Sequence, residues 1–277
     1  MAFAWLKGHG TENDFVLLPD HDGSVHGDLD PRFVASLCDR RRGIGADGVM
    51  RVIRSAALGE ASAGEWFMDY RNADGSVSEM CGNGVRVFAK HLFDEGLVPA
   101  DRPVVVGTRD GDKMVTRSQD AEGREQYVVD MGAPILGETS KIAVDGRAWE
   151  AMEIRTGNPH AVAFVESLDE AGTLLNEPEY DHTVYPEGVN IEFVVRRGPQ
   201  HVAMRVHERG SGETRSCGTG ACAVAAAAAV SDAATRPTTY RIDVPGGTVE
   251  VTWTADGHLL LAGPAEIVAR GEMEWLL

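Results

Sequence analysis

The pattern of apolar and polar positions predicts short strands separated by Gly-containing loops. The loop GTEND leads into the apolar run FVLL at Phe15, and the loop GIGADG leads into the run VMRVI. Short apolar runs bounded by Gly, Asn and Asp are typical of buried strands. Two longer segments, VVVGTRDGDKMVTR and YRIDVPGGTVEVTW, each predict a β-hairpin, with Asp110-Gly111 and Gly246-Gly247 as turn residues.

Two helices are predicted to begin directly after a cysteine. After Cys81, apolar residues recur at helical spacing and predict a one-sided amphipathic helix that ends at Gly96. After Cys217, nearly every residue from 221 to 230 is apolar and small. A helix that is apolar all round is usually buried, so we expect sheet to wrap this second helix. A further helix is predicted at 31–40.

The second half of the chain repeats the pattern of the first. The segment MDYRNADGSVSEMCGNGVRVFAKHL matches MRVHERGSGETRSCGTGACAVAAAA, and both contain C-G-x-G. In each segment a polar residue, Asn72 or Glu208, stands nine positions before the cysteine. The other matched loops, in the same order, are centred on Asn13 and Asn158 and on Asp47 and Asn190. Repeats in one order along the chain indicate two similar structural halves.

We therefore predict an α+β (mixed α/β) fold of two pseudo-symmetric domains from an internal duplication. Each domain would be a curved mixed sheet or partial barrel around a central helix. Residues 1–122 would form the N-terminal half with Cys81, and residues 123–265 the C-terminal half with Cys217. A length of 277 residues suits two domains. The segment 266–277 could pack back on the first half.

Composition narrows the class of partner. The chain has 26 Lys+Arg against 43 Asp+Glu, a net charge of −17, which disfavours nucleic acid and anionic membranes. A small-molecule substrate is expected instead. No secretory signal or long apolar run is present in the sequence, so we expect a cytoplasmic protein whose four cysteines are reduced. The sequence has no C-x-x-C pair, so no metal site is expected.

The two cysteines stand where a helix start favours chemistry. The first turn of a helix presents unpaired N–H groups and a partial positive charge. We expect this to lower the thiol pKa from about 8.5 into a range of roughly 3.5–7.5. Glycines after each cysteine would let one substrate carboxylate take N–H bonds from both helices. Cys81 and Cys217 would then face the α-carbon from opposite sides, one removing a proton and the other delivering one, without a cofactor.

Other polar residues have a chemical and a structural interpretation. Glu208 could bind the substrate ammonium or be an exposed loop carboxylate, and Arg209 could bind a second carboxylate or be a surface arginine. His160 could tune a cysteine or be a structural histidine. Asn13, Asn72 and Asn190, taken singly, are better explained as turn caps. The remaining cysteines, Cys38 and Cys222, are predicted to be core packing.

Six motifs in this order resemble those of the diaminopimelate epimerase family. They are GxxNDF at 10–15, RNADGS at 71–76, MCGNG at 80–84, GNPH at 157–160, GVNIEF at 188–193 and ERGSGETRSCGTGA at 208–221. The resemblance implies two domains with the active site in the cleft, no metal or pyridoxal phosphate, and a homodimer. It implies that LL-2,6-diaminopimelate is interconverted with the meso isomer for lysine and peptidoglycan precursor synthesis.

Carried over by motif, the resemblance implies a role for each site residue. Cys81 and Cys217 would be the acid–base pair, supported by His160, and Glu208 would hold the reacting ammonium. The carboxylate at the reacting centre would be held by Gly82, Asn83, Gly218 and Thr219. The distal amino-acid end would be read by Asn13, Asn72, Asn158, Asn190 and Arg209.

Two positions depart from the family pattern. Gly48 stands where some members carry a substrate-contacting glutamine, and Ser216 where many have alanine. A proline or hydroxyproline racemase-like enzyme, which shares the two-cysteine logic, remains the alternative. That group tends to have a histidine where this chain has Asn83, and Asp-x-x-Pro-Cys where this chain has TRSC before the second helix. A non-catalytic amino-acid-binding protein is the alternative from another class, but binding alone needs no cysteine on either side of the ligand.

Overall fold

The computed structural model describes residues 2–274, and in it the chain forms two compact units. One unit contains the chain up to Val129 and the segment from Pro264, and the other contains residues Asp130–Gly263. The sequence predicts a junction at 122/123. The boundary falls later because residues 120–124 form the turn of a hairpin that stays within the first unit. Residues 275–277 of the C-terminal segment lie outside the described residues.

The first unit is built mostly from strands, as expected for the mixed α/β class. Its helices are α1 (Pro31–Cys38), α2 (Ser55–Leu58) and α3 (Gly82–Asp94). Its strands are β1 (Ala2–Gly10), β2 (Asn13–Pro19), β3 (Gly48–Arg54), β4 (Trp66–Asn72), β5 (Val104–Gly107), β6 (Lys113–Gln119), β7 (Glu125–Asp130) and β18 (Glu266–Glu274).

Helix α3 is the core of this unit and packs against β1, β2, β3, β5, β6 and β18. The sequence predicted a helix with one apolar face, and this prediction is wrong. Arg86, Val87 and His91 are buried as well, because strands surround the helix. The Arg86 guanidinium is accommodated by hydrogen bonds to Gly82 O at 3.3 Å and Pro264 O at 3.2 Å.

The second unit contains one long helix, α4 (Gly218–Ser231), and a 3₁₀ turn at Leu168–Ala171. Its strands are β8 (Ile135–Val144), β9 (Arg147–Thr156), β10 (Asn158–Phe164), β11 (Glu179–Tyr180), β12 (Asn190–Gly198), β13 (His201–Glu208), β14 (Gly212–Thr214), β15 (Thr238–Val244), β16 (Gly247–Trp253) and β17 (Leu259–Gly263). Every residue of α4 from Gly218 to Ala229 is buried, against β9, β10, β12, β15, β16 and β17. The prediction of a helix wrapped by sheet is confirmed.

The two units repeat one strand order. The first runs β18-β1-β2-β3-β4-β5-β6-β7, with parallel pairs β2–β3 and β4–β5 and antiparallel pairs elsewhere. The second runs β8-β9-β10-β12-β13-β15-β16-β17, with parallel pairs β10–β12 and β13–β15. Both predicted hairpins, β5–β6 and β15–β16, form. In the second, Val244 pairs with Gly247, so the turn is Pro245-Gly246 rather than the predicted Gly246-Gly247.

Candidate active site

Each unit carries its candidate residues at one edge of its sheet. In the first unit Asn13 and Gly48 begin the parallel strands β2 and β3, and Asn72 ends the antiparallel strand β4 opposite Gly48. In the second unit Asn158 and Asn190 begin the parallel strands β10 and β12, and Glu208 ends β13. The loops that the sequence matched in pairs therefore occupy equivalent places in the two sheets.

Cys81 is the N-cap of α3, with extended backbone angles. Its Sγ accepts a hydrogen bond from Gly84 N at 3.5 Å and lies 3.5 Å from Asn13 Oδ1. The Asn83 amide donates to the same Asn13 oxygen at 3.2 Å. The structure thus brings three of the predicted site residues together at the start of one helix.

A charged cluster holds Asn13 in this position. Its amide donates to Asp47 Oδ2 at 2.8 Å, and Arg40 bridges Asp47 and Asp14. Burial opposes the charge on Asp14, but hydrogen bonds from Arg40 and Lys7 outweigh it and lower the pKa of that carboxyl to about 2. The sequence alone does not reveal this supporting role, because the pairing depends on contacts between distant parts of the chain.

Asn72 is hydrogen-bonded within its own turn. Its amide donates to Ser76 Oγ at 3.0 Å. Beside it, a Cβ at Gly48 would lie 2.6 Å from both Arg71 O and the Tyr70 ring, so the backbone and Tyr70 fill the space next to Gly48. A glutamine at this position would require its neighbours to move.

Cys217 is the N-cap of α4 and is buried. Its Sγ accepts from Gly220 N at 3.3 Å and lies 3.4 Å from Thr219 Oγ1. Burial, with the carboxylates of Glu208 and Glu192 adding to it, raises the pKa of the Cys217 thiol well above its usual value. The sequence predicted a lowered pKa, and for this cysteine the prediction is wrong. The helix start does stabilise a thiolate, but desolvation and two nearby carboxylates outweigh it.

His160 and Glu192 form a buried pair beside this helix. His160 Nδ1 lies 2.6 Å from Glu192 Oε1, and neither side chain is exposed. The other ring nitrogen, Nε2, lies 2.8 Å from Asn158 Oδ1. Glu192 was missed in the sequence, where it stands among the apolar residues of β12. The available signal was that a glutamate inside such a strand needs a buried partner.

Asn190 connects the outer loops of this edge. It accepts from Arg209 N at 3.0 Å and donates to Pro159 O at 3.2 Å. The Arg209 guanidinium donates to Glu187 O at 2.8 Å and is exposed. Glu208 accepts a hydrogen bond from Thr214 Oγ1 across the β13–β14 turn. Each of these side chains is held by the backbone or by a neighbouring loop.

The first turns of the two helices contain the remaining predicted residues. Gly82 and Asn83 are buried in α3, and Gly218 and Thr219 in α4. Thr156 Oγ1 donates to Thr219 O at 3.0 Å and fastens the start of α4 to β9. Glycines in these turns leave room for an anion to approach backbone N–H groups.

The other two cysteines belong to the core. Cys38, at the end of α1, is buried, and burial, with Asp14 and Asp47 adding to it, raises its thiol pKa to about 12. Cys222 lies fully buried inside α4. Both placements confirm the prediction of core packing.

Neither a metal-binding cluster nor a membrane-spanning helix is found among the described residues. Across residues 2–274, no three His, Cys, Asp or Glu side chains are placed to hold a metal ion. None of the helices in that part of the chain is long and apolar enough to span a membrane.

Comparison with known proteins identifies close relatives. A family model described as diaminopimelate epimerase matches residues 5–136 and 152–268. A diaminopimelate epimerase of Streptomyces coelicolor is 54% identical over 287 residues, which covers 99% of this chain and 96% of the relative. One from Corynebacterium glutamicum is 44% identical over 279 residues, which covers 99% of both chains.

Solved structures share the fold at low sequence identity. A phenazine biosynthesis protein of Bacillus anthracis has a TM-score of 0.71 and 15% identity, covering 99% of this chain and 100% of its own. A hydroxyproline epimerase from Agrobacterium vitis, with bound trans-4-hydroxy-L-proline, has a TM-score of 0.69 and 15% identity, covering 98% and 92%. These likenesses show a common fold and leave the substrate to other observations.

Proposed function

Because the chain belongs to the diaminopimelate epimerase family, we propose that Cys81 and Cys217 are the acid–base pair of its reaction. The enzyme is an isomerase of lysine biosynthesis that interconverts LL-2,6-diaminopimelate and meso-diaminopimelate. The observation that carries the assignment of the two cysteines is their shared position, since each is the N-cap of the buried helix of its unit. The racemase alternative is supported by similarity of fold but not by sequence identity.

The reaction needs one thiolate and one thiol. The thiolate removes the α-proton, which leaves a carbanion, and the thiol on the opposite face delivers its own proton to that carbon. The configuration is inverted, and the two sulfurs have exchanged protonation states. Such positioned acid–base groups contribute typically 10²–10⁴-fold to a rate.

The carbanion requires stabilisation through the neighbouring carboxylate. We assign this to the first-turn N–H groups of α3 and α4, through Gly82, Asn83, Gly218 and Thr219. Preorganised donors of this kind are usually the largest contribution to catalysis when charge develops in the transition state. The glycines support this assignment because they add no side chain of their own that would cover the backbone N–H groups.

Glu208 supports binding of the substrate ammonium at the reacting centre. Its carboxylate is one of the two that raise the pKa of Cys217 in the unliganded protein. An ammonium placed against Glu208 would offset this charge and make the Cys217 thiolate easier to form. Substrate binding would in this way prepare the second cysteine for its turn as a base.

The distal amino-acid end of the substrate is assigned to polar residues at the two sheet edges. These are Asn13, Asn72, Asn158, Asn190 and Arg209. Arg209 supports recognition of a second carboxylate because its guanidinium is exposed and its backbone is fixed by Asn190. Groups placed to bind a second amino-acid head gain nothing from a substrate that has only one, so such a substrate would bind more weakly.

The family resemblance also motivates three general proposals. The enzyme would be a cytoplasmic homodimer, would serve peptidoglycan precursor synthesis as well as lysine synthesis, and would need no metal or pyridoxal phosphate. Light scattering should give twice the mass of the chain. Activity should survive exhaustive dialysis against EDTA, and restoration of a lost activity by one metal would contradict the last proposal.

The test of the two-cysteine mechanism is α-hydrogen exchange. The protein is incubated with LL-diaminopimelate in D₂O, and incorporation of deuterium is followed by NMR. Cys81→Ala and Cys217→Ala should each abolish exchange and epimerisation, whereas the matched controls Cys38→Ala and Cys222→Ala should retain both. Exchange at the normal rate in either of the first two variants would refute the mechanism.

A further inference from the structure

Each unit has a half-site, which is the start of its central helix with the strands beside it. The Cys81 and Cys217 half-sites have the same backbone arrangement, but different side chains lie next to the matched glycines, Gly84 and Gly220. A Cβ at Gly84 would lie 3.1 Å from Met50 Sδ and 3.5 Å from Phe15 Cζ. A Cβ at Gly220 would lie 2.7 Å from Glu192 Oε1. The helix start that carries Cys81 thus rests on apolar atoms, and the one that carries Cys217 rests beside a carboxylate.

Strand register shows that these residues are equivalent. Phe15 pairs with Gly48 across the parallel strands β2 and β3, and Met50 follows two residues later. His160 pairs with Asn190 across β10 and β12, and Glu192 follows two residues later. The pair Phe15 and Met50 in one unit therefore occupies the same sheet positions as His160 and Glu192 in the other.

Folding does not require a polar pair at this place. Phe15 and Met50 fill it in the first unit and are fully buried. In the second unit a carboxylate and an imidazole are fully buried 2.6 Å apart, an arrangement that carries a large desolvation cost. Glu192 Oε2, also buried, has no hydrogen-bond partner within residues 2–274. A costly pair where apolar residues would serve points to a role in the chemistry.

We propose that Glu192 is a positioning residue of the Cys217 half-site, which orients His160 through Nδ1 and keeps the proton on Cys217 in the unliganded enzyme. This inference rests on the proposed role of the two cysteines. The two cysteines then differ in the unliganded enzyme, because only Cys217 has a buried carboxylate at this position. Cys81, which has Met50 at the matched position, is the cysteine that acts first as base. Asn158 holds the other side of the imidazole.

The charges that act on Cys217 come from two strands. Glu192 lies on β12 and Glu208 on β13, and both raise the thiol pKa in addition to burial, whereas hydrogen bonds from Thr219 and Gly220 oppose them. His160 of β10 contacts Glu192 rather than the sulfur. Removal of the Glu192 charge should therefore lower the pKa of Cys217, while replacement of Met50 should leave it unchanged.

The experiment is a titration of each thiol by NMR. The protein is labelled with [3-¹³C]cysteine, and the Cys217 resonance is assigned by its absence from Cys217→Ala. In Glu192→Gln, which retains an oxygen acceptor for His160, the Cys217 midpoint should fall by about one to two pH units, the effect of one nearby charge at intermediate dielectric. The Cys81 resonance serves as the internal reference, and Met50→Leu as the matched control variant.

A second variant protects the test against misfolding. His160→Phe/Glu192→Met copies the apolar pair of the first unit and should lower the Cys217 midpoint in the same direction. In steady-state kinetics, Glu192→Gln should lower kcat about tenfold or more with KM little changed, because the carboxylate orients a histidine and does not contact substrate.

Two results would overturn the proposal. One is a Cys217 midpoint in Glu192→Gln that equals or exceeds that of the unsubstituted protein. The other is an equal movement of the Cys81 midpoint, which would indicate a general structural change. The titration does not depend on turnover, so a failure of this proposal can be distinguished from a failure of the proposed function, which the exchange assay tests.

Discussion

Replacement of Gly220 by alanine places a methyl group at a tightly packed point beside Cys217 and Glu192. The new Cβ would lie 2.7 Å from Glu192 Oε1 and 3.2 Å from Cys217 Sγ. Neither neighbour can move easily, because Glu192 is held by His160 and Cys217 begins the helix. Since non-bonded heavy atoms prefer roughly 3.5 Å, the helix start or the buried pair must shift by about half an ångström or more.

Two opposing contributions set the magnitude. Alanine in place of glycine stabilises a helix by about 1 kcal/mol. Overpacking of a well-packed site costs about 1–3 kcal/mol, so the net change is a destabilisation of up to about 2 kcal/mol. The loss of activity should be larger, about 10- to 100-fold in kcat/KM, because small misplacements of reacting groups are costly.

The matched control is Gly84→Ala. There the nearest atom is Met50 Sδ at 3.1 Å, at the end of a flexible side chain. Stability of this variant should be nearly unchanged, and its loss of activity at least several-fold smaller than that of Gly220→Ala. Thermal unfolding and the D₂O exchange assay measure both quantities. Equal activity of the two variants would refute the claim that the Cys217 half-site is the less tolerant one.

Three further predictions concern the periphery and the core. Arg209→Met should raise KM for diaminopimelate and lower kcat/KM, because remote binding supports the reacting geometry; unchanged kinetics would remove Arg209 from the site. Arg86→Met should destabilise the protein by about 1–3 kcal/mol in chemical denaturation, because the carbonyls of Gly82 and Pro264 lose a buried donor. Burial lowers the pKa of His91 below its ordinary value of 6.5. Below pH 6.5 the unfolded chain therefore binds more protons than the folded one, and the free energy of unfolding falls as the pH drops. This group contributes at most about 1.4 kcal/mol per pH unit. His91→Leu should flatten this dependence between pH 6.5 and 5, and an unaltered slope would contradict the assignment.

The repeats in the sequence were sufficient to predict the halves of the fold and the helix starts. The cysteine of each C-G-x-G motif was predicted to begin a helix, and Cys81 and Cys217 are both N-caps. The burial of α4 followed from composition alone, since no polar face was present. These features are local, so neighbouring residues in the chain determine them.

What the sequence did not predict depends on contacts between strands. The burial of Arg86 follows from strands that surround α3 on all sides, which periodicity along one helix does not reveal. Glu192 meets His160 only through the pairing of β10 with β12. The raised pKa of Cys217 arises from burial and from the nearby carboxylates of Glu208 and Glu192, which the local rule for helix starts leaves out.

The position of β18 in the chain affects the order in which the units can be completed. This strand pairs with β1 but follows the whole of the second unit in sequence. Because the N-terminal part leaves the ribosome first, β1 lacks its partner strand β18 while residues 130–263 are synthesised. An unpaired strand edge is a template for association with other chains. All strands of the second unit have been synthesised once residue 263 has emerged, whereas the first unit still lacks β18. The first unit is therefore the one exposed to aggregation during synthesis.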